Sequence, residues 1–166
     1  SLAWTAPSGT EVLFEAEYLE DDRPFWRGQV AVGERPADMP PERFLGEPWD
    51  HHETDNQSYR LEITHPLGEN WSLRNATSYN RGEVFNLAAR SDGLRDDNRT
   101  LDRILFNTDA VKRYVVNQTD LTGAFSTGPV THEFVVGAEF IYRDDEVFGA
   151  GLRDPSFAID IFEPVH

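Results

Sequence analysis

The stretch that most constrains this chain runs from Val115 to Tyr142, VVNQTDLTGAFSTGPVTHEFVVGAEFIY. It reads as two alternating runs around Ser126-Thr127-Gly128-Pro129, residues suited to a turn because Gly accepts positive φ and Pro fixes φ near about −65°. Opposing Phe125 to Val130 across a four-residue turn pairs Leu121 with Phe134, Thr119 with Val136, Asn117 with Ala138 and Val115 with Phe140, a mostly apolar face. The other face pairs Thr122 with Glu133, Asp120 with Val135, Gln118 with Gly137 and Val116 with Glu139, and is largely polar. Side chains alternate with period two, so a one-residue slip in either strand would put Leu121 and Val136 on opposite faces. Each run is about 11 or 12 residues long, where a globular strand is about 5 or 6. Tilted strands of roughly 9 to 11 residues are what a membrane barrel wall requires.

The rest of the chain repeats this pattern. LAWTA reads as the end of a strand before the tight turn Pro7-Ser8-Gly9-Thr10. In EVLFEAEYLE, Val12, Phe14, Ala16 and Tyr18 oppose Glu11, Glu15 and Glu17. SYRLEITH and NWSLRNATSYNR flank Pro66-Leu67-Gly68-Glu69, with Tyr59, Leu61 and Ile63 alternating with Arg60, Glu62 and Thr64. Asn75 and Thr77 follow Leu73 on the apolar side of the later run. The expectation is an all-β, antiparallel up-and-down meander of about six long strands (about 1–6, 11–20, 57–65, 70–84, 108–125 and 130–143). Long polar loops over 21–56, 85–107 and 144–166 join them. The tight turns fall on one edge of such a sheet and the long loops on the other, the plan of an outer-membrane barrel.

Composition narrows the partners. A net charge of −15 repels nucleic-acid phosphates and anionic headgroups, so nucleic acid is not an expected partner. Cysteine is absent, which removes disulfides and thiolate metal sites. No apolar run approaches the roughly 18 residues of a spanning helix, and the chain reads as an interior piece of something larger.

NWSLRNATSYNR, NQTDLTGAFSTGPVTHEFVVGAEFIYR and IDIFEPVH, in that order and spacing, resemble the barrel of TonB-dependent siderophore receptors. RGQVAVGERPADMPPERFLGEPWD resembles one of their long extracellular loops. The resemblance implies a segment of a 22-stranded transmembrane barrel in the outer membrane of a Gram-negative bacterium. It also implies a plug domain and a TonB box, neither of which this sequence contains. Ferric siderophore would be the transported ligand, with no cofactor and no enzymatic activity; outer-membrane lipid and the TonB system would be the other partners.

Candidate ligand contacts are the loop residues Phe25, Trp26, Trp49, Arg27, Arg90 and Arg95: aromatics to pack an anchored chelate, and Arg to pair its carboxylate or phenolate oxygens. Loop packing is the competing account. His51 and His52 in DHHETD could ligate a metal with Glu53 or Asp55, but adjacent histidines point differently, so the expectation is a solvated loop and no metal site. Glu20-Asp21-Asp22 and Asp144-Asp145-Glu146 read as charged rims. Thirty carboxylates guarantee close pairs by chance, so no glycosidase site follows from them. The rival fold is a soluble β-sandwich binding a saccharide or protein, and a loop-carboxylate hydrolase comes third. Sandwich and wall differ in what covers Val12, Phe14, Tyr59, Ile63, Phe134, Val136 and Phe140.

Overall fold

The computed structural model describes residues 1–25 and 29–165. In chain order the strands are β1 (Leu2–Thr5), β2 (Glu11–Arg23), β3 (Ala31–Val32), β4 (Arg35–Pro36), β5 (His51–Pro66), β6 (Trp71–Leu94), β7 (Thr100–Thr127), β8 (Val130–Arg153) and β9 (Ile159–Asp160). The main sheet has the order β1-β2-β5-β6-β7-β8, with β9 added to β7, and β3 and β4 form a separate ribbon. The antiparallel meander is therefore as expected.

Five strands, β2, β5, β6, β7 and β8, run longer than expected. β6, β7 and β8 take up most of 85–107 and 144–153, which had read as loop, and β5 begins at His51 rather than 57. The physical reason is that charge pairs replace apolar alternation in these segments. Arg95, in the turn after β6, pairs with Asp102 of β7 at 2.6 Å, and Arg153 of β8 reaches across β7 to Asp92 of β6 at 2.8 Å, so opposite charges tie the strand ends together where apolar alternation stops. The true turn is Arg95–Arg99. Arg95 N–H donates to the Thr100 carbonyl at 2.8 Å, and Asn98 takes φ 54°. β9, which had read as loop, pairs Thr100 with Asp160 and Leu101 with Ile159.

The central turn also differs. It holds two residues, Gly128 and Pro129, with Gly128 at φ 63°. Positive φ at the first central position is the type II′ pattern that matches the twist of paired strands. Phe125 then stacks on His132 (centroids 4.9 Å) and Ser126 bonds Thr131 at 3.3 Å. The pairing is thus two residues along from that expected, a shift that leaves every side chain on its original face.

The chain divides into two compact units, and β2, β5, β6, β7 and β8 contribute to both. Unit 1 comprises Ser1–Leu19, Asn56–Gly82 and Val111–Glu146, and it contains all three tight turns. One of its faces is a polar network. Arg74 grips Glu62 with two 2.8 Å bonds and reaches Asp120 at 3.1 Å, while Arg60 adds a 2.6 Å bond to Glu62. Its other face is apolar and uncovered: Phe14, Ile63, Val136 and Phe140 are 39%, 38%, 63% and 62% exposed. No second sheet lies over them among the described residues of the unit, which disfavours a sandwich.

Aromatic residues mark both ends of that face. Trp71 meets Phe134 edge-on at 4.8 Å beside the tight turns, and Tyr59 stacks on Tyr79 at 6.4 Å, eight residues further along β6. At a rise of about 3.3 Å per residue and a tilt of about 40°, eight residues climb about 20 Å, close to the roughly 25 Å apolar band of a barrel wall. Gly123 lies between Trp71 and Phe134. A Cβ there would fall 2.7 Å from the indole and 2.8 Å from the phenyl ring, so the aromatic contact requires glycine.

Midway up the apolar face sits a polar ladder. Asn75 Nδ2 donates to Asn117 Oδ1 at 3.3 Å and to Thr119 Oγ1 at 2.7 Å, and Asn117 Nδ2 donates back to Asn75 Oδ1 at 3.3 Å and to Thr77 Oγ1 at 2.7 Å. The amides satisfy each other, which is what lets them face hydrocarbon. Asn117→Leu should therefore cost about 1 kcal/mol of barrel stability by stranding Asn75, whereas Asn75→Leu/Asn117→Leu together should cost less than the single change. Denaturant midpoints of the refolded barrel in lipid check this, and simple additivity would count against the ladder.

Unit 2 comprises Glu20–Asp55, Glu83–Ala110 and Val147–His166. All ten buried hydrophobic residues among those described belong to it. Ala37, Met39, Leu45, Leu101, Ile159 and Ile161 form one cluster, flanked by Val30, Val32, Leu94 and Phe162. The proline-rich connection is therefore a folded module with its own core.

Candidate functional site

The described candidates for ligand contact fall in unit 2, and the structure treats them differently. Trp26 and Arg27 lie outside the described residues. Phe25 tilts against His52 with centroids 6.1 Å apart, and His52 Nδ1 in turn makes a short bond to the Asn86 side-chain oxygen. Asn86 itself is buried. Arg90 lies four residues further along β6 on the same side of the strand, with its guanidinium 4.2 Å above the Phe106 ring. That contact is a cation–π pair which holds the cation in place while leaving its N–H edge available.

Phe25, His52 and Asn86 form one chain of contacts in unit 2, and Arg90 and Phe106 form a second pair four residues further along β6. Aromatic rings can pack a flat apolar group, and a guanidinium can pair with an anionic oxygen. Sequence reasoning missed His52, Asn86 and Phe106 as members of these contacts. Their signal was the period-two spacing of residues 86 and 90, hidden because the segment had read as loop.

Trp49 is exposed. Arg95 is committed elsewhere: its Nε and one terminal nitrogen clasp Asp102 at the hairpin tip, and this hydrogen-bonded pairing holds Asp102 below the usual carboxylate range. Beside it, Asp97 accepts from Thr100 Oγ1 at 2.5 Å and from the backbone N–H groups of Thr100 and Arg99 at 2.8 and 2.9 Å. These bonds, with Thr100 Oγ1 first, lower its pKa to about 2 from 3.8. A carboxylate with a depressed folded pKa adds stability that is complete above its unfolded value and lost as pH falls through the folded one. Amide exchange protection of the 95–100 hairpin should therefore drop between about pH 4 and pH 2 in excess of the intrinsic pH trend, and Asp97→Asn should remove that excess.

The folded module that carries these groups is pinned by two buried charges. Arg103, 5% exposed, donates to the carbonyls of Leu45 at 3.0 Å and Phe157 at 2.5 Å and pairs with Glu47 at 2.6 Å. Asp50 accepts from the backbone of Ala89 at 2.7 Å and Glu47 at 2.9 Å; burial raises its pKa, opposed by those bonds. Both residues tie the connection to β6 or β7.

The two histidines part company. His52 belongs to the Phe25–Asn86 chain, whereas His51 lies between Asp22 and Glu53.

No family model matches the chain. It is 35% identical, over its whole length, to the metal-pseudopaline receptor CntO of Pseudomonas aeruginosa, and 23% identical over 73% of its length to the catecholate siderophore receptor Fiu of Escherichia coli. It spans about a quarter of the former, 24%, and 17% of the latter. Among solved structures, the siderophore receptor PiuA of Acinetobacter baumannii superposes with a TM-score of 0.77 at 19% identity, covering 98% of this chain and 27% of that one. The open form of Fiu gives 0.83 at 18% identity, over 98% and 28%. These proteins are receptors, not enzymes. Likeness along the full sequence, the uncovered apolar face and the antiparallel meander agree: the chain belongs to the TonB-dependent siderophore receptors, as a stretch of their outer-membrane β-barrel.

Proposed function

We propose that the protein to which this stretch of wall belongs binds a ferric siderophore at the outer face and imports it with energy relayed through TonB. In this reading the wall is part of a 22-stranded barrel around a plug, and unit 2 supplies outer loops. The observation that carries it is the 35% identity, over every part of this chain, to a receptor for a chelated metal. The fold shared with siderophore receptors supports the same reading. Phe25, Trp26, Trp49 and Arg27 would contribute aromatic and cationic contacts. Arg90, held over Phe106, would pair with an anionic oxygen of the chelate, and Arg95 would stay with Asp102.

Uptake of radiolabelled iron chelates by a strain lacking other receptors, with and without this one, tests the proposal. Receptor-dependent, TonB-dependent uptake is expected for at least one chelate class. Arg90→Ala should weaken its binding by roughly tenfold, the loss of one charge-assisted hydrogen bond. Failure of every chelate to accumulate would sink the transport reading.

A further inference from the structure

The connection between β2 and β5 leaves the sheet after Arg23 and returns at His51. At its base three donors converge: one ligand atom from each of Asp22, His51 and Glu53, all within 4.8 Å of one another. Asp22 Oδ1 stands 3.4 Å from His51 Nδ1, and Glu53 Oε1 stands 2.5 Å from Nε2. His51 and Glu53 are two apart on β5 and so share a face, and Asp22 comes from the adjacent strand β2. Phe85 packs edge-on to the imidazole at 6.2 Å and fixes its plane. Arg23, next to Asp22, is turned to Asp21 at 3.1 Å and does not enter the cluster. Two carboxylates of like charge flank the imidazole, an arrangement that a divalent cation relieves.

We propose that Asp22, His51 and Glu53 form a divalent-metal site for a borderline ion such as Zn²⁺, Ni²⁺ or Co²⁺, which clips together the two ends of the 24–50 connection. One nitrogen with two carboxylate oxygens is a donor set for these ions, whereas Ca²⁺ and Mg²⁺ prefer oxygen alone. Donor atoms around one such ion lie roughly 3 to 3.5 Å apart. Asp22 faces Nδ1 and Glu53 faces Nε2, so an ion on one ring nitrogen draws the other carboxylate round the ring, by rotation of side chains that are 64% and 55% exposed. Water fills the remaining positions. This ion stays with the protein and is separate from any chelated cargo, so the site is independent of the transport reading. Its effect falls on the folded module between its ligands, because a metal joining the ends of a long connection opposes their fraying.

The test uses the full-length receptor in detergent, stripped of metal and free of siderophore, with Zn²⁺ alone titrated against a chromophoric chelator. Wild type should bind one more Zn²⁺ than His51→Ala, and Asp22→Asn and Glu53→Gln should each weaken that ion by at least about tenfold. Ca²⁺ at the same concentration should not displace it. Zn²⁺ should also slow proteolysis within residues 29–50 in wild type and leave His51→Ala unchanged. Asp22→Asn, which keeps size and strand pairing, carries the test if His51→Ala does not assemble. Identical Zn²⁺ stoichiometry and affinity in wild type and the variants would overturn the proposal.

Discussion

Arg103→Ala is expected to release the folded module of unit 2 while leaving the barrel wall assembled. The guanidinium is almost wholly buried and ends on two backbone carbonyls and a carboxylate. Removing it strands the Glu47 charge and the Leu45 and Phe157 carbonyls in a site that water reaches poorly. Breaking a buried pair in this way costs about 3 to 5 kcal/mol, several times the worth of an exposed ion pair. The loss is local, because the cluster of Ala37, Met39, Leu45, Leu101, Ile159 and Ile161 lies within one unit. Limited proteolysis of the receptor in detergent should show new cleavage within residues 37–50 and 154–162, with heat-modifiable barrel mobility on gels unchanged. Arg103→Lys should rescue little, since an ammonium cannot span the three acceptors that the guanidinium fork reaches. A module as protease-resistant as wild type would mean that Arg103 does not pin it.

Val136→Arg is expected to block assembly outright. Val136 lies on the uncovered apolar face of β8, between the ring contacts at Phe134 and Tyr142 towards the other end. A charge there meets hydrocarbon and costs roughly 2 to 4 kcal/mol near the midplane, falling towards the interfaces. Phe134→Arg, against Trp71 beside the turns, should accordingly cost less. Glu139→Arg, on the opposite face of the same strand, should be tolerated. The folded fraction recovered in outer membranes is the measurement, and equal yields of Val136→Arg and Glu139→Arg would refute the face assignment.

The wall was legible in the sequence because lipid and a polar lumen impose opposite demands on successive residues. Tyr59, Leu61 and Ile63 against Arg60 and Glu62 declare strand and face together. Beyond the tyrosines that constraint lapses. Arg95, Asp102, Asp92 and Arg153 hold strands by charge pairing, which in one dimension cannot be told from a solvated loop. The module core was hidden for another reason. Ala37, Met39 and Leu45 have no common period, and they find Leu101 and Ile159 only through contacts distant in sequence. Of the candidate site, the residue types Phe25 and Arg90 could be picked out, but His52, Asn86 and Phe106 depend on strands that polar composition concealed.

All the buried hydrophobic residues among those described lie in unit 2, and unit 1 has none. The two parts of one chain are thus free to drift at different rates. Lipid is a solvent without shape, so Phe140 or Val136 can exchange with any apolar side chain at little cost. Leu101 and Ile161 fit a close-packed interior, where a single methylene is felt. Over evolutionary time the wall can change its lettering while keeping its pattern. The packed module can change only through compensated pairs of substitutions.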